Sequence, residues 1–178
     1  MRRLIGIILV SSLVLSACKN EAKEPENTEP VIEESAPKKL VVNFKFKTDK
    51  YDTFRIMLDN VEVDDLQKKN IHIFENVMPS SGTDEISAVF DEGNISNILK
   101  VSLGNKETKE VELVGFSLTY GEKHREWSTA SDYNKFLIFN KFIQRDTSSL
   151  ILKTQRVEGK LNPVIVVKRP VLNELMTE

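Results

Sequence analysis

Cysteine occurs once in the 178 residues, at Cys18, and histidine and tryptophan are scarce, with two and one. A single cysteine excludes an internal disulfide and every zinc site built from cysteine pairs. The two histidines, His72 and His124, are far apart and fit no H-E-x-x-H or comparable ligand spacing. His72 alternates with Ile71 and Ile73, so it is expected on the solvent face of a strand, and His124 falls in a charged segment. There is no G-x-S-x-G and no phosphate loop. Asp59-Asn60 with Asp64-Asp65, and Asp91-Glu92-Gly93-Asn94, supply oxygens without the graded spacing of a calcium loop, and such residues are expected in turns for backbone reasons alone. No metal, cofactor or catalytic residue is expected. A basic excess is missing too: 25 Lys and Arg stand against 27 Asp and Glu, which argues against nucleic acid as a partner.

What the chain does have begins at its N-terminus. Arg2 and Arg3 precede the apolar run Leu4 to Leu15, and small residues Ser16-Ala17 follow it, which is the order of a secretory signal peptide over residues 1–17. The run is short against the ~20 residues that a spanning helix needs. Leu15-Ser16-Ala17-Cys18 resembles the lipobox of bacterial lipoproteins. The resemblance implies cleavage before Cys18 and a diacylglyceryl thioether on it, with the membrane as partner. Two or more acyl chains attach a protein stably, each buried methylene adding ~0.8 kcal/mol. Lipidation would also consume the only thiol. Loss of Arg2 and Arg3 with the leader would leave 23 basic residues of the 25, against 27 acidic ones. Lys19-Asn20-Glu21 with Glu24 and Glu26 resembles the acidic export tract of some lipoproteins. It implies the bacterial cell envelope, as an outer membrane lipoprotein that faces outward, with periplasmic residence as the alternative.

Residues 18–37 carry Glu21, Glu24, Glu26, Glu29, Glu33, Glu34 and three prolines, with little apolar beyond Val31 and Ile32. Such a stretch cannot bury enough surface to offset its ordering entropy and reads as a disordered acidic spacer. Residues 38–178 then form one domain. Leu40, Val42, Phe44 and Phe46 alternate with polar or outward residues, and the period of two returns at Phe54-Ile56-Leu58, Ile71-Ile73, Ile86-Ala88-Phe90 and Leu99-Val101-Leu103. Between Lys109 and Tyr120 the phase changes at Gly115, where a bulge is expected. Leu150–Thr154 and Val164–Val167 are later strands, the second stopped by Pro170. Only Ser131–Phe142 has helical spacing, behind Ser131 as cap. The expected fold is all-β: a single antiparallel β-sandwich, jelly-roll or immunoglobulin-like, with at most one short helix.

Tyr120, Trp127 and Tyr133 lie in or beside the polar stretch Gly121 to Asn134, outside any apolar strand pattern. Aromatic faces stack on sugar C–H faces, so these three are the expected ligand-binding residues. Ile98 to Gly104-Asn105, followed by Lys109 to Leu118, resembles a segment of β-sandwich accessory domains of bacterial envelope and glycan-handling proteins, similar to carbohydrate-binding modules. Lys106-Glu107-Thr108 stands where those domains have a tight Pro-Gly turn, so no ligand residue is carried across. The expectation is a membrane-anchored, non-enzymatic binder of a glycan or other extracellular ligand. The alternative is an interaction subunit or adaptor of an envelope complex, with an envelope protein as partner, and an envelope hydrolase comes third.

Overall fold

The computed structural model describes residues 38–177. The leader 1–17, Cys18 with the spacer 18–37, and residue 178 lie outside the described residues. In chain order the elements are β1 (Leu40–Thr48), β2 (Asp52–Glu62), β3 (Lys68–Val77), β4 (Asp84–Phe90), β5 (Leu99–Ser102), β6 (Glu110–Tyr120) and β7 (Lys123–Trp127). They continue with α1 (Ala130–Phe136), β8 (Leu137–Phe139), β9 (Ile143–Gln144), β10 (Ile151–Thr154), β11 (Val164–Val167) and α2 (Arg169–Met176).

The strands make two antiparallel sheets, the expected all-β sandwich. One has the order β4-β1-β6-β10-β9, with β7 also on β6, and the other β3-β2-β5-β11-β8. Alternation dictates which side chains go in. Leu40, Val42, Phe44 and Phe46 of β1 are at most 1% exposed while the residues between them are half-buried. From the facing sheet come Phe54, Ile56 and Leu58 of β2 and Ile165 and Val167 of β11. The rings of Phe46 and Phe54 bring the sheets together with centroids 4.9 Å apart. Burial of such side chains, each worth about 1.5–3 kcal/mol, is the main force holding the layers.

On β6, Gly115 faces Lys45 whereas Leu113 faces Phe46, so Val114 is the extra residue of a bulge. The phase change expected at Gly115 is there, and it lets Val111 and Leu113 before it and Phe116 and Leu118 after it all point inward. The far side of β6 is shared, β10 pairing with Glu110–Glu112 and β7 with Phe116–Tyr120.

The helical content differs from expectation: there are two short helices, not at most one. The first is shorter than Ser131–Phe142. It is capped by Thr129, whose side chain accepts from the Asp132 N–H, and it stops at Phe136 because Leu137, Ile138 and Phe139 pair with β11 instead. The second, α2, begins where a strand stop was expected. Pro170 sits in its first turn, where a missing N–H costs nothing, and Val171, Leu172 and Leu175 are buried. β7 is also a strand that alternation does not announce, since Lys123 to Glu126 are all exposed and only Trp127 is buried.

Connectivity sets the two ends of the sandwich apart. β1 starts at Leu40, opposite Phe90 and Tyr120, and ends at Thr48, next to the reversal into β2. The eight rises of ~3.3 Å along its nine residues put the two ends of β1 about 26 Å apart. The reversal end gathers Asp52, Gly104 and Lys109.

Candidate ligand-binding face

Two of the three aromatic residues expected to bind ligand belong to the core. Trp127 is 4% exposed, its ring 5.8 Å from Phe116 and 5.3 Å from Phe136. Tyr133 is fully enclosed, and its hydroxyl donates to the Trp127 carbonyl at 3.2 Å. Burial, helped by the negative charges of Asp132 and Glu126 and opposed by Arg145, pushes the phenol up to about 12. A ring closed off in this way has no face to offer a sugar. Tyr120 is half-buried and packs against the core from the other end of β6. The polar stretch misleads for a physical reason. β7 and α1 lie at the surface, and their few aromatics are the residues that turn inward. His124 stays exposed, with Nδ1 2.9 Å from the Thr119 hydroxyl. Among the described residues no group of three or more His, Cys, Asp or Glu is placed to hold a metal.

Exposed rings lie elsewhere, at Tyr51 and, more fully, at Phe74. Phe74 is 58% exposed on β3, the edge strand of the second sheet. Ile71 and Ile73 point to the core, so His72 and Phe74 point out. That parity is written in the sequence, and it places a large aromatic on the solvent face beside His72. Register carries the row across the sheet: Phe74, Arg55, Ser102 and Val164 stand on neighbouring strands, with His72, Met57, Lys100, Val166 and Ile138 in the next row. The Arg55 guanidinium carbon lies 5.6 Å from the Phe74 ring centre, within cation–π range. The His72 ring meets Phe74 edge-on at 6.1 Å. Asp59 holds Lys100 at 2.6 Å and approaches His72 at 3.8 Å.

Beside Phe74 is a shallow cleft of about 160 Å³, with Phe74, Arg55 and Thr53 on one side and Gly104, Asn105 and Asn162 on the other. Its loop wall is fixed from beneath by Asp52. The carboxylate accepts from the N–H of Thr53 at 2.8 Å and of Lys106 at 3.1 Å, and from the buried Lys109 ammonium, which also donates to the Leu103 carbonyl at 2.9 Å. Burial pushes the Asp52 carboxyl up. The hydrogen bonds from Lys109, Thr53 and Lys106, with the Lys109 charge, outweigh it and hold the group below its ordinary value. Gly104 closes the arrangement. Its φ is +76°, and a Cβ there would lie 2.1 Å from Asp52 Oδ1, so only glycine allows the loop to cross so close. The cleft thus offers an aromatic face, one guanidinium, the hydroxyls of Thr53 and Ser102 and two carboxamides, beside a wall held by Asp52.

A larger hollow of about 470 Å³ lies at the end where the chain enters, between α2 and the β2–β3 hairpin. It has no aromatic residue, and its charges are of both signs, with Glu62 and Lys68 already paired at 3.8 Å. Compared with known proteins, the chain matches no family model, no curated protein and no solved structure.

Proposed function

We propose that this is a lipid-anchored envelope protein that binds a saccharide without transforming it, on the outer face of the β3-β2-β5-β11-β8 sheet. The observation that carries the reading is the exposed Phe74 ring beside the cleft, with Arg55, Asn105 and Asn162 converging on the same space. An exposed ring gives a stacking surface for a sugar face, and nearby amides and a guanidinium supply directional donors. Aromatic planes with a few placed polar groups are how such sites combine affinity with orientation. The Leu15-Ser16-Ala17-Cys18 sequence supports attachment through Cys18, and the cleft's position at the end remote from Lys38 suits a domain presented outward. Binding of the full-length chain to a glycan array, with Phe74→Ala as control, tests the reading. Signal lost in the variant at unchanged thermal stability is the expected result, and an array with no bound glycan ends it. Metabolic labelling with a radioactive fatty acid, abolished by Cys18→Ala, tests the anchor.

A second reading, an adaptor for another envelope protein, is favoured by β3 itself. Its outer edge has no partner strand among the described residues, and an open edge can accept a strand from a partner. Strand addition uses the β3 backbone and not the Phe74 ring, so capture of a partner protein that survives Phe74→Ala separates this reading from the sugar cleft.

A further inference from the structure

We infer that the saccharide taken by the Phe74 cleft is acidic, carrying a carboxylate that pairs with Arg55. The inference rests on the saccharide reading above and names the class of sugar. It starts from charge. Of the residues lining the cleft, Arg55 alone is charged, and none is acidic.

Arg55 is also uncommitted. Among the described residues its guanidinium makes no ion pair and no hydrogen bond, and its one notable contact is the Phe74 ring at 5.6 Å. Lys100, in the next row of the same face, is held by Asp59 at 2.6 Å, and Lys109 is shut inside the protein with Asp52. Asp52, directly under Gly104 of the cleft wall, has its charge cancelled by Lys109, so it does not compete for Arg55. A planar guanidinium with free N–H groups presents a fork that matches a carboxylate in two parallel hydrogen bonds.

Geometry places the two recognition elements together. Arg55 and Phe74 are cross-strand partners, so a sugar ring stacked on Phe74 brings its substituents over Arg55. Asn105 and Asn162, across the cleft, are left to meet hydroxyls of the same or the next sugar. A half-buried guanidinium is desolvated further when a ring covers it. A neutral sugar would leave that charge covered and unpaired, whereas a uronic acid pairs it.

The test uses the full-length chain in mild detergent on an array of neutral, uronate-containing and sulfated oligosaccharides. Binding should concentrate on uronates. Reduction of their carboxyl groups to alcohols should weaken binding about tenfold or more, the worth of one charge-assisted hydrogen-bond pair. Arg55→Gln should show the same loss on the native glycans and no further loss on the reduced ones, with its melting temperature confirming a folded chain. Strong binding to neutral glycans that Phe74→Ala abolishes and Arg55→Gln leaves unchanged overturns the acidic ligand and keeps the saccharide site. Preference for sulfated over carboxylated glycans overturns the carboxylate. No binding to any glycan removes both readings.

Discussion

The Lys109 ammonium and the Asp52 carboxylate pair inside the protein, 0% and 1% exposed, and join the two sheets at the end that carries the cleft. Asp52 opens β2 of one sheet, and Lys109 immediately precedes β6 of the other. Removing one member strands the other charge without water. Lys109→Met is therefore expected to cost about 3–5 kcal/mol, while the double change Asp52→Asn with Lys109→Met recovers much of it. Urea unfolding of the three chains measures this, and a double variant no better than the single one would contradict it.

The same pair sets a pH dependence. Asp52 is held below its ordinary value of 3.8 on folding. A carboxyl depressed in the native state contributes stability that is complete above the unfolded value and is lost as pH falls through the folded value. The urea midpoint should hold its Asp52 contribution above 3.8 and lose it progressively below. Asp52→Asn should start lower at neutral pH and decline less steeply in acid. Parallel acid profiles for the two chains would assign the effect to other carboxyls.

Gly104 and Gly93 make a matched comparison, since both have positive φ, +76° and +79°, and only Gly104 is crowded. Nothing lies within 4 Å of a Cβ at Gly93, so Gly93→Ala should cost only the left-handed backbone penalty, about 1–2 kcal/mol. Gly104→Ala must also push Asp52 away from Thr53 and Lys106. It should be the more destabilising of the two and should weaken glycan capture, because Asn105 moves with the loop. Thermal melts and array binding of both variants check the order.

Phe74 and Trp127 should separate function from stability. Phe74→Ala removes a ring that is mostly in solvent and should change unfolding free energy by about 0.5 kcal/mol or less while abolishing ligand binding. Trp127→Ala empties a packed site between Phe116 and Phe136 and should cost about 3–5 kcal/mol. A Trp127→Ala chain that melts normally and fails only in binding would reverse the assignment of the two rings.

Much of the sandwich was legible because its strands bury one face and expose the other. The alternation at Leu40 to Phe46 and the phase change at Gly115 both follow from that asymmetry, and both are present. β7 was illegible because four of its five residues are exposed, so its backbone pairing leaves no apolar trace. α2 was hidden by Pro170, which ends strands and begins helices with equal ease. The site was half legible. The polar composition of Gly121 to Asn134 hides the inward turn of the Trp127 and Tyr133 rings. The outward parity of Phe74 was readable from Ile71 and Ile73 all along. What no linear pattern holds is the row across strands: Arg55, Phe74 and Ser102 meet only through register.

β11, the last strand of the chain, lies inside its sheet, between β5 and β8. The sheet therefore cannot be assembled in the order in which the ribosome delivers it. Until Val164 to Val167 has emerged, β8 has no neighbour and β5 has an open side, so a chain cut short before Pro163 loses a central plank and not a terminus. A nascent polypeptide of this topology leaves that sheet unfinished through nearly all of its synthesis, because its inner pairing joins segments far apart in the chain.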